Sequence, residues 1–451
     1  MTDAAAAPFA GHGTRAYRAW VLFALLVVYT FNFIDRVLVS IVQEPIRAEF
    51  NLTDTQLGLL GGPTFAILYT LLGIPIARLA ERKNRMTILA VCVGLWSAMT
   101  AACGMATSYA TLLLARIGVS IGEAGCTPPA QSVIADYFPE KSRATALSIY
   151  ALGIPIGSML AAVGGGIIAE AMGWREAFLT LGLPGLVLAI LVKLTVKEPP
   201  RAGAAIEAPG LRETASLLSK KSAFWYAAFG GAMASFVGYG VGQFTNSFFM
   251  RSHELSILQA SQITGLLLGA FGAIGTFISG WLADRIRGRY PNAIAWLPAV
   301  GFMVAGPLNV FGYMSGSLPV AVALLAVAQL GGSLYLGSMY AIAQGVVHPR
   351  MRATAVAELL FVVNLIGYAG GPPAIGALSD LIANRELLAA GLSLDACRAA
   401  VSAGGVADPA CTGASEVGLR WAIILGYSGL LLAAAFFLMS WRTVRRDWHE
   451  G

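Results

Sequence analysis

The chain has 451 residues, enough for two or three soluble domains, yet 57% of it is hydrophobic and only 12% is charged, with a mean hydropathy of +0.70. A water-soluble fold cannot bury apolar runs repeated along its whole length, so composition argues against a soluble enzyme, a nucleic-acid reader and a disordered scaffold. The formal charge of +6, from 30 Lys and Arg against 24 Asp and Glu, then has to be read by side of the membrane and not as affinity for nucleic acid. Met1 to Gly13 is short and rich in Ala and Gly, and the apolar run from Trp20 is too long for a signal peptide, so no cleavable leader is expected.

In chain order, the apolar runs predict membrane-crossing helices over 18–43, 54–78, 86–107, 110–135, 144–169 and 176–196, then over 223–249, 257–283, 292–314, 319–346, 352–383 and 418–441. Each crosses roughly 30 Å of hydrocarbon at about 1.5 Å per residue. The expected fold class is an all-α membrane protein with twelve transmembrane helices in two six-helix bundles. The expected organisation is a tail 1–17, a first bundle 18–196, a linker 197–222, a second bundle 223–441 with an insertion at 384–417, and a tail 442–451.

Twelve spans put both termini on one side, and the basic residues test the count. Of the 30, 21 fall on the side of the termini, six fall on the other (Arg47, Arg175, Arg251, Arg385, Arg398 and Arg420), and three lie within spans. That bias places both termini in the cytoplasm.

Three short segments recur in the same order. Leu79-Ala80-Glu81-Arg82 with Arg85 answers Leu282-Ala283-Asp284-Arg285 with Arg289; Arg143-Ala144-Thr145-Ala146 answers Arg352-Ala353-Thr354-Ala355; Gly173-Trp174-Arg175-Glu176-Ala177 answers Gly418-Leu419-Arg420-Trp421-Ala422. The offsets are 203, 209 and 245, so the halves keep step until an insertion between spans 11 and 12. Lys197-Glu198-Pro199-Pro200 stops a helix and opens the polar seam between the halves. Parallel six-helix repeats with a site near the bilayer midplane are a transporter plan.

Gly280-x-Leu282-Ala283-Asp284-Arg285 with Gly288-Arg289 resembles the loop signature of the major facilitator superfamily. The first copy departs from it in Ala77 and Asn84, where glycines are usual, and in Glu81 for aspartate. Gly173-Trp174-Arg175 and Gly153-Ile154-Pro155-Ile156-Gly157 fit the same superfamily, and the resemblance covers roughly 17–441. Asn32-Phe33-Ile34-Asp35-Arg36, Arg116-x-Gly118 with Gly122-Glu123-Ala124, Gly370-Gly371-Pro372-Pro373 and Ser379-Asp380 resemble the spinster family in its bacterial form. The resemblance implies a major facilitator fold in a bacterial inner membrane and a proton-linked carrier of an anionic amphipathic lipid, such as a lysophospholipid or a sphingosine-1-phosphate-like molecule. It leaves open symport or antiport, and a different cargo in a bacterial member.

Ionisable side chains at bilayer depth cost several kcal/mol, so each needs a partner or a task. With span 1 centred near residue 31, Asp35 lies about 6 Å past the midplane, at a depth comparable to that of Glu123 and Arg116 on span 4. Asp35 and Glu123 are therefore the expected proton-coupling pair, and Arg116 and Arg36 the expected partners of an anionic headgroup through their planar forks. Arg36 is the weaker candidate, because neighbours on a helix point about 100° apart. The alternative is a static ion pair stitching spans 1 and 4 together. The second half offers mainly amides, hydroxyls and aromatics: Gln243, Thr245, Asn246, Tyr335, Tyr340, Asn364 and Tyr368. A cavity charged on one wall and apolar on the other suits an amphipath, which makes Gln243, Asn246, Tyr335, Tyr340 and Asn364 substrate-binding candidates. Glu358 is a minor one.

Glu81 and Asp284, beside Arg82 and Arg285, are expected to face the starts of spans 11 and 5, which carry Arg352 and Arg143. An acid near a positive helix end is favourable, and parting these contacts would open the cytoplasmic side. The plainer reading is that these charges only fix topology. None of the six lysines follows a glycine, so there is no Walker loop. No cofactor and no metal are expected, since the four histidines lie at ends or in loops without ligand spacing. Cys92, Cys103 and Cys126 read as apolar fillers; Cys397 and Cys411, in the outward insertion, are expected to form a disulfide that braces it. The expected partners are the lipid substrate, protons and membrane lipids, with a monomeric chain and no nucleic acid. An exchanger of small organic anions or phosphate esters is the runner-up; a membrane enzyme or sensor lacks a nucleophile–base pair at one depth, or a signalling domain.

Overall fold

Continuous apolar stretches without period-two alternation, punctuated by Gly and Pro, have only one way to satisfy their backbone in hydrocarbon, which is to coil. The computed structural model describes residues 12–200, 211–287, 293–402 and 408–448, and every regular element in them is helical. Spans 1 to 6 are Arg15–Phe50, Asp54–Gly61 with Pro63–Arg82, Arg85–Gly104, Tyr109–Glu123 with Thr127–Tyr137, Glu140–Ala151 continuing to Ala171, and Trp174–Thr195. A short linker helix, Leu211–Leu218, precedes spans 7 to 12: Ser222–Ser252, Ile257–Thr264 continuing to Arg287, Ala293–Met314, Leu318–Gly332 with Tyr335–Gly345, Arg352–Val362 continuing to Ala389, and Pro409–Gly426 with Gly429–Asp447. The described residues thus form an all-α membrane protein of twelve spans.

Among the described residues, ten spans are long and apolar enough to cross a membrane on that ground alone. The other two are span 4, broken at Ala124–Cys126 and carrying Arg116 and Glu123, and span 7, which carries Gln243, Thr245, Asn246 and Ser247. Hydropathy falls where buried polar side chains enter the helix. Spans 5, 8 and 11 each contain a widened π-turn, at Ala161–Gly165, Gly265–Phe271 and Val363–Tyr368, a local change of pitch often found at functional positions.

The far ends of several helices run past the predicted limits. Span 1 continues to Phe50 through Glu44, Arg47 and Glu49, span 11 ends at Ala389, and span 12 begins at Pro409. These extra turns are polar, so a hydropathy criterion stops before them while backbone hydrogen bonding does not. The insertion is correspondingly less loop-like than its composition indicates and contains a cap helix, Leu394–Ser402.

The chain forms two compact units, whose boundary does not follow the sequence repeat. One gathers the chain up to Leu38 with Leu68–Ala161 and the stretch from Arg175 to the linker. The other gathers Val39–Ile67, Ala162–Trp174 and the second half. In the first unit, Gly157 of span 5 lies on the Thr30 carbonyl of span 1, and Gly122 of span 4 lies on the backbone of Trp96 in span 3; a Cβ at either would collide with main chain. In the second, Gly58 of span 2 lies on the Pro372 carbonyl of span 11, and Gly376 lies on that of Asp54. The far ends of spans 1 and 2 are thereby built into the second half's packing.

Candidate functional site

Span 4 begins with a Ser108 capping box, and its first helical segment ends at Glu123, just before the chain turns at Ala124–Cys126 and restarts at Thr127-Pro128-Pro129. A carboxylate at the negative end of a helix needs a countercharge. Arg36 of span 1 supplies it: its Nε donates to Glu123 Oε2 at 2.7 Å, with Glu123 fully buried and the Arg36 side chain 13% exposed. The same guanidinium lies 4.5 Å from the ring centre of Tyr69 and 5.0 Å from that of Phe33, in cation–π range.

Asp35 and Arg116 are both 1% exposed. Arg116 Nη1 donates to the main-chain oxygen of Asp35 at 3.3 Å, and the Asp35 carboxyl is within electrostatic reach of both Arg116 and Glu123. Spans 1 and 4 therefore bring Asp35, Arg36, Arg116 and Glu123 into one pocket of the first unit. The 100° step between Asp35 and Arg36 sends them to different partners, and the direct ion pair to Glu123 comes from Arg36.

Among the second-half candidates, Asn246 is fully buried and its amide donates to the Ile41 carbonyl at 3.0 Å. Gln243 and Gln43 clasp reciprocally: Gln243 Nε2 donates to Gln43 Oε1 at 2.7 Å, and Gln43 Nε2 donates to the Gln243 carbonyl at 2.8 Å and to Ser247 Oγ at 2.7 Å. Both amides thus tie span 7 to the far half of span 1. Tyr335 is half-buried, with its hydroxyl 3.4 Å from Ser235 Oγ. Tyr340 and Asn364 are half-buried, and Asn364 lies in the π-turn of span 11. Tyr368 closes that turn and stacks on Tyr239 with ring centres 4.1 Å apart.

Of the expected gating residues, Glu81, Arg82, Arg285 and Arg352 are exposed and Arg143 is half-buried. The Arg285 guanidinium lies 5.4 Å from the Trp281 ring centre. The side chain of Asp284 lies outside the described residues. The same loop motif supplies an ion cluster through its last residue: Arg85, 3% exposed, binds Asp136 at 2.5 Å and Glu198 at 2.6 Å. Glu198 also accepts from the Met86 amide at 3.2 Å, so the start of the linker is anchored to the first turn of span 3.

A second charged cluster escaped the sequence reading because its members look like ordinary loop charges. At the far ends of spans 1, 2 and 7, Arg251 donates to Glu44 Oε1 at 2.6 Å, to Asp54 at 2.8 and 2.9 Å, and to Ser415 Oγ at 3.1 Å. Asp54, 2% exposed, also accepts from Ser379 Oγ at 2.6 Å, and Arg47 Nε stands 3.5 Å from it. Asp380 of span 11 accepts from the Asp54 and Thr55 amides at 3.0 and 2.8 Å, capping span 2 from outside its own chain segment. The alternating signs of Glu44, Arg47 and Asp54 around a helix–helix turn were the available signal. In the insertion, Cys397 and Cys411 are disulfide-bonded, with Cα atoms 5.8 Å apart.

The sequence profile described as Major Facilitator Superfamily matches residues 22–357. The chain belongs to the major facilitator superfamily. It is 36% identical over 376 residues to an MFS-type efflux pump of Mycolicibacterium smegmatis, covering 82% of this chain and 86% of that one. It is 29% identical over 386 residues to protein spinster homolog 3 of Danio rerio, covering 80% and 77%. Among solved structures, it is similar to a bacterial homologue of the human lysosomal transporter spinster. The inward-facing, unoccupied form matches with a TM-score of 0.89 at 37% identity, over 97% of this chain and all of the other. The inward-facing, occupied form matches with a TM-score of 0.88 at 38% identity. The chain is accordingly a transporter of spinster type and not an enzyme.

Proposed function

We propose that this transporter moves an anionic amphipathic lipid by alternating access and couples that movement to protons at Glu123 and Asp35. The observation that carries the reading is the Arg36–Glu123 pair, a fully buried carboxylate at a helix end facing an arginine that keeps some exposure. Protonating Glu123 removes the countercharge it gives Arg36, and the guanidinium beside the Tyr69 and Phe33 rings can then take up a phosphate or carboxylate in its place. Arg116, sealed against Asp35, is the second basic candidate. Tyr335, Tyr340 and Asn364 are the second half's candidates for contacts to the rest of the substrate. Gln243 and Asn246 are engaged with span 1 and reach a substrate only after those bonds part.

The clusters around Arg251 and Gln43 tie the far ends of spans 1, 2 and 7 together, and the basic-residue bias supports cytoplasmic termini. The likeness to a bacterial spinster homologue supports a bacterial inner membrane, and the repeated motifs support two six-helix halves joined through 197–222. The efflux pump of M. smegmatis favours outward transport, hence exchange of protons for substrate. The other reading, an exchanger of small organic anions or phosphate esters, draws on the same two arginines. Flux of a lysolipid panel and of soluble phosphate esters into proteoliposomes, with and without a proton gradient, decides between them. Lysolipid flux that follows the proton gradient supports the proposal. Flux of soluble esters alone, or flux indifferent to the gradient, overturns it.

A further inference from the structure

The cap helix Leu394–Ser402 is held at two places. Inside the insertion, Cys397 is bonded to Cys411 in the first turn of span 12, and the disulfide sits in a small core with Ala383, Leu387 and Ala414. Outward from that core, the next residue, Arg398, reaches the turn between spans 1 and 2. Its Nε and Nη2 donate to the Asn51 carbonyl at 3.1 and 2.6 Å, and the Asn51 amide donates back to the Arg398 carbonyl at 2.9 Å. Asn51 has a φ of +51°, a left-handed conformation that Asn tolerates better than most residues. Leu52 closes the turn by donating to the Arg47 carbonyl at 3.0 Å.

We infer that the Cys397–Cys411 disulfide is a redox-controlled clasp: bonded, it holds Arg398 on the span 1–span 2 turn and keeps the far side shut; reduced, it lets go. The inference rests on the proposed alternating access, because only a side that opens needs a clasp. The reductant is a dithiol. Its thiolate attacks one cystine sulfur to form a mixed disulfide, and its second thiol resolves that bond. Cys397 and Cys411 become thiols, and the reductant becomes a disulfide, two electrons and two protons having passed to the protein. Reduction frees the cap helix from span 12, and the forked hydrogen bonds to Asn51 then have no rigid base. The clasp differs from the Arg251 cluster in kind, since an ion cluster does not respond to a dithiol.

The reporter is Ser261→Cys. Ser261 is fully buried on span 8 against Gly166, which belongs to the far-side end of span 5. It lies on a different pair of elements from the clasp, so it reads opening of the far side and not local loosening of the cap. Purified full-length protein is treated with dithiothreitol, freed of it, and labelled with a maleimide, and modification at residue 261 is quantified by peptide mass spectrometry. Reduction should raise the labelling rate at least roughly tenfold, the factor expected when one net hydrogen bond to a charged donor is lost. Cys397→Ser with Cys411→Ser should reproduce the rise without reductant. Arg398→Ala should give a similar rise in the oxidised protein and no further response to dithiothreitol. Labelling that rises in Arg251→Ala but ignores the reductant overturns the clasp alone. Labelling that rises in neither overturns the far-side gate and the clasp with it.

Discussion

Glu123→Gln imitates the protonated carboxyl while keeping its size. In the native pair, a 2.7 Å charge-assisted hydrogen bond joins a fully buried carboxylate to Arg36. Removing one partner of a buried pair costs about 3–5 kcal/mol, from which the faces of Tyr69 and Phe33 recover about 1 kcal/mol. Breaking the pair thus costs roughly 2–4 kcal/mol. A proton falling through 100 mV supplies about 2.3 kcal/mol, and each pH unit adds about 1.4 kcal/mol. One proton per cycle is therefore matched to the task, whereas a fully unscreened buried pair would be too strong for it. Reconstituted wild type under a one-unit pH gradient should concentrate substrate about tenfold if one proton moves per electroneutral cycle. Glu123→Gln should bring that ratio to about one and still exchange labelled for unlabelled substrate across the membrane. If the variant continues to concentrate substrate against its gradient, Glu123 does not carry the coupling proton.

Asp35→Asn should likewise abolish gradient-driven accumulation with the fold retained, read by flux and by elution as a single species. Arg116→Ala should weaken binding of anionic ligands about tenfold or more relative to neutral analogues, and equal loss for both would make Arg116 structural. Arg251→Leu leaves the buried Asp54 carboxylate with Arg47 and Ser379 alone, so it should destabilise the far side by about 3 kcal/mol. Adding Asp54→Asn should restore part of that in thermal denaturation, and strictly additive losses would refute the proposed coupling. Gly58→Leu drives a side chain into the Pro372 backbone and should trap the far side open, seen as fast labelling of Ser261→Cys. Glu123→Gln should also alter that labelling rate, and an unchanged rate would show that the ion pair and the far side are not linked.

The fold was largely legible because a membrane leaves a backbone few choices: apolar length fixes the helices, and basic residues fix the number of crossings. Legibility failed where helices leave hydrocarbon. Arg47 counted only as an outer basic residue, and Glu44 and Asp54 drew no reading, since nothing in a hydropathy profile says that a polar helical turn such as theirs is buried against other helices. Asp380 was visible only as part of a motif, because capping the start of a helix more than 300 residues earlier in the chain leaves no local trace. For the charged pocket, helical spacing brought spans 1 and 4 to one depth. It could not choose which arginine meets Glu123, because that depends on the rotation of span 1, set by packing such as Gly157 on Thr30. The amides Gln243 and Asn246 were read as ligand contacts, and composition alone could not anticipate that Gln43 and the Ile41 carbonyl would engage them.

Span 1 links the two charged regions in the simplest way available. It passes from the first compact unit to the second between Leu38 and Val39, within one turn of Arg36. Gln43 and Glu44 follow Arg36 by seven and eight residues, so Gln43 lies within about 20° of Arg36's face of the helix and Glu44 about 80° round from it. Arg36, the Gln243 clasp and the Arg251 cluster thus meet one continuous helix over about 12 Å of rise. A change in charge at Glu123 that lets Arg36 swing need not travel through a chain of side-chain contacts. A tilt or rotation of this one helix moves Gln43 and Glu44 against span 7 at the same time. Coupling of this kind requires a stiff element with two arrangements, each favoured by different partners at its two ends. Span 1 meets that description: its near half carries the Arg36–Glu123 ion pair, and its far half is held by the Gln43–Gln243 amides and the Arg251 cluster.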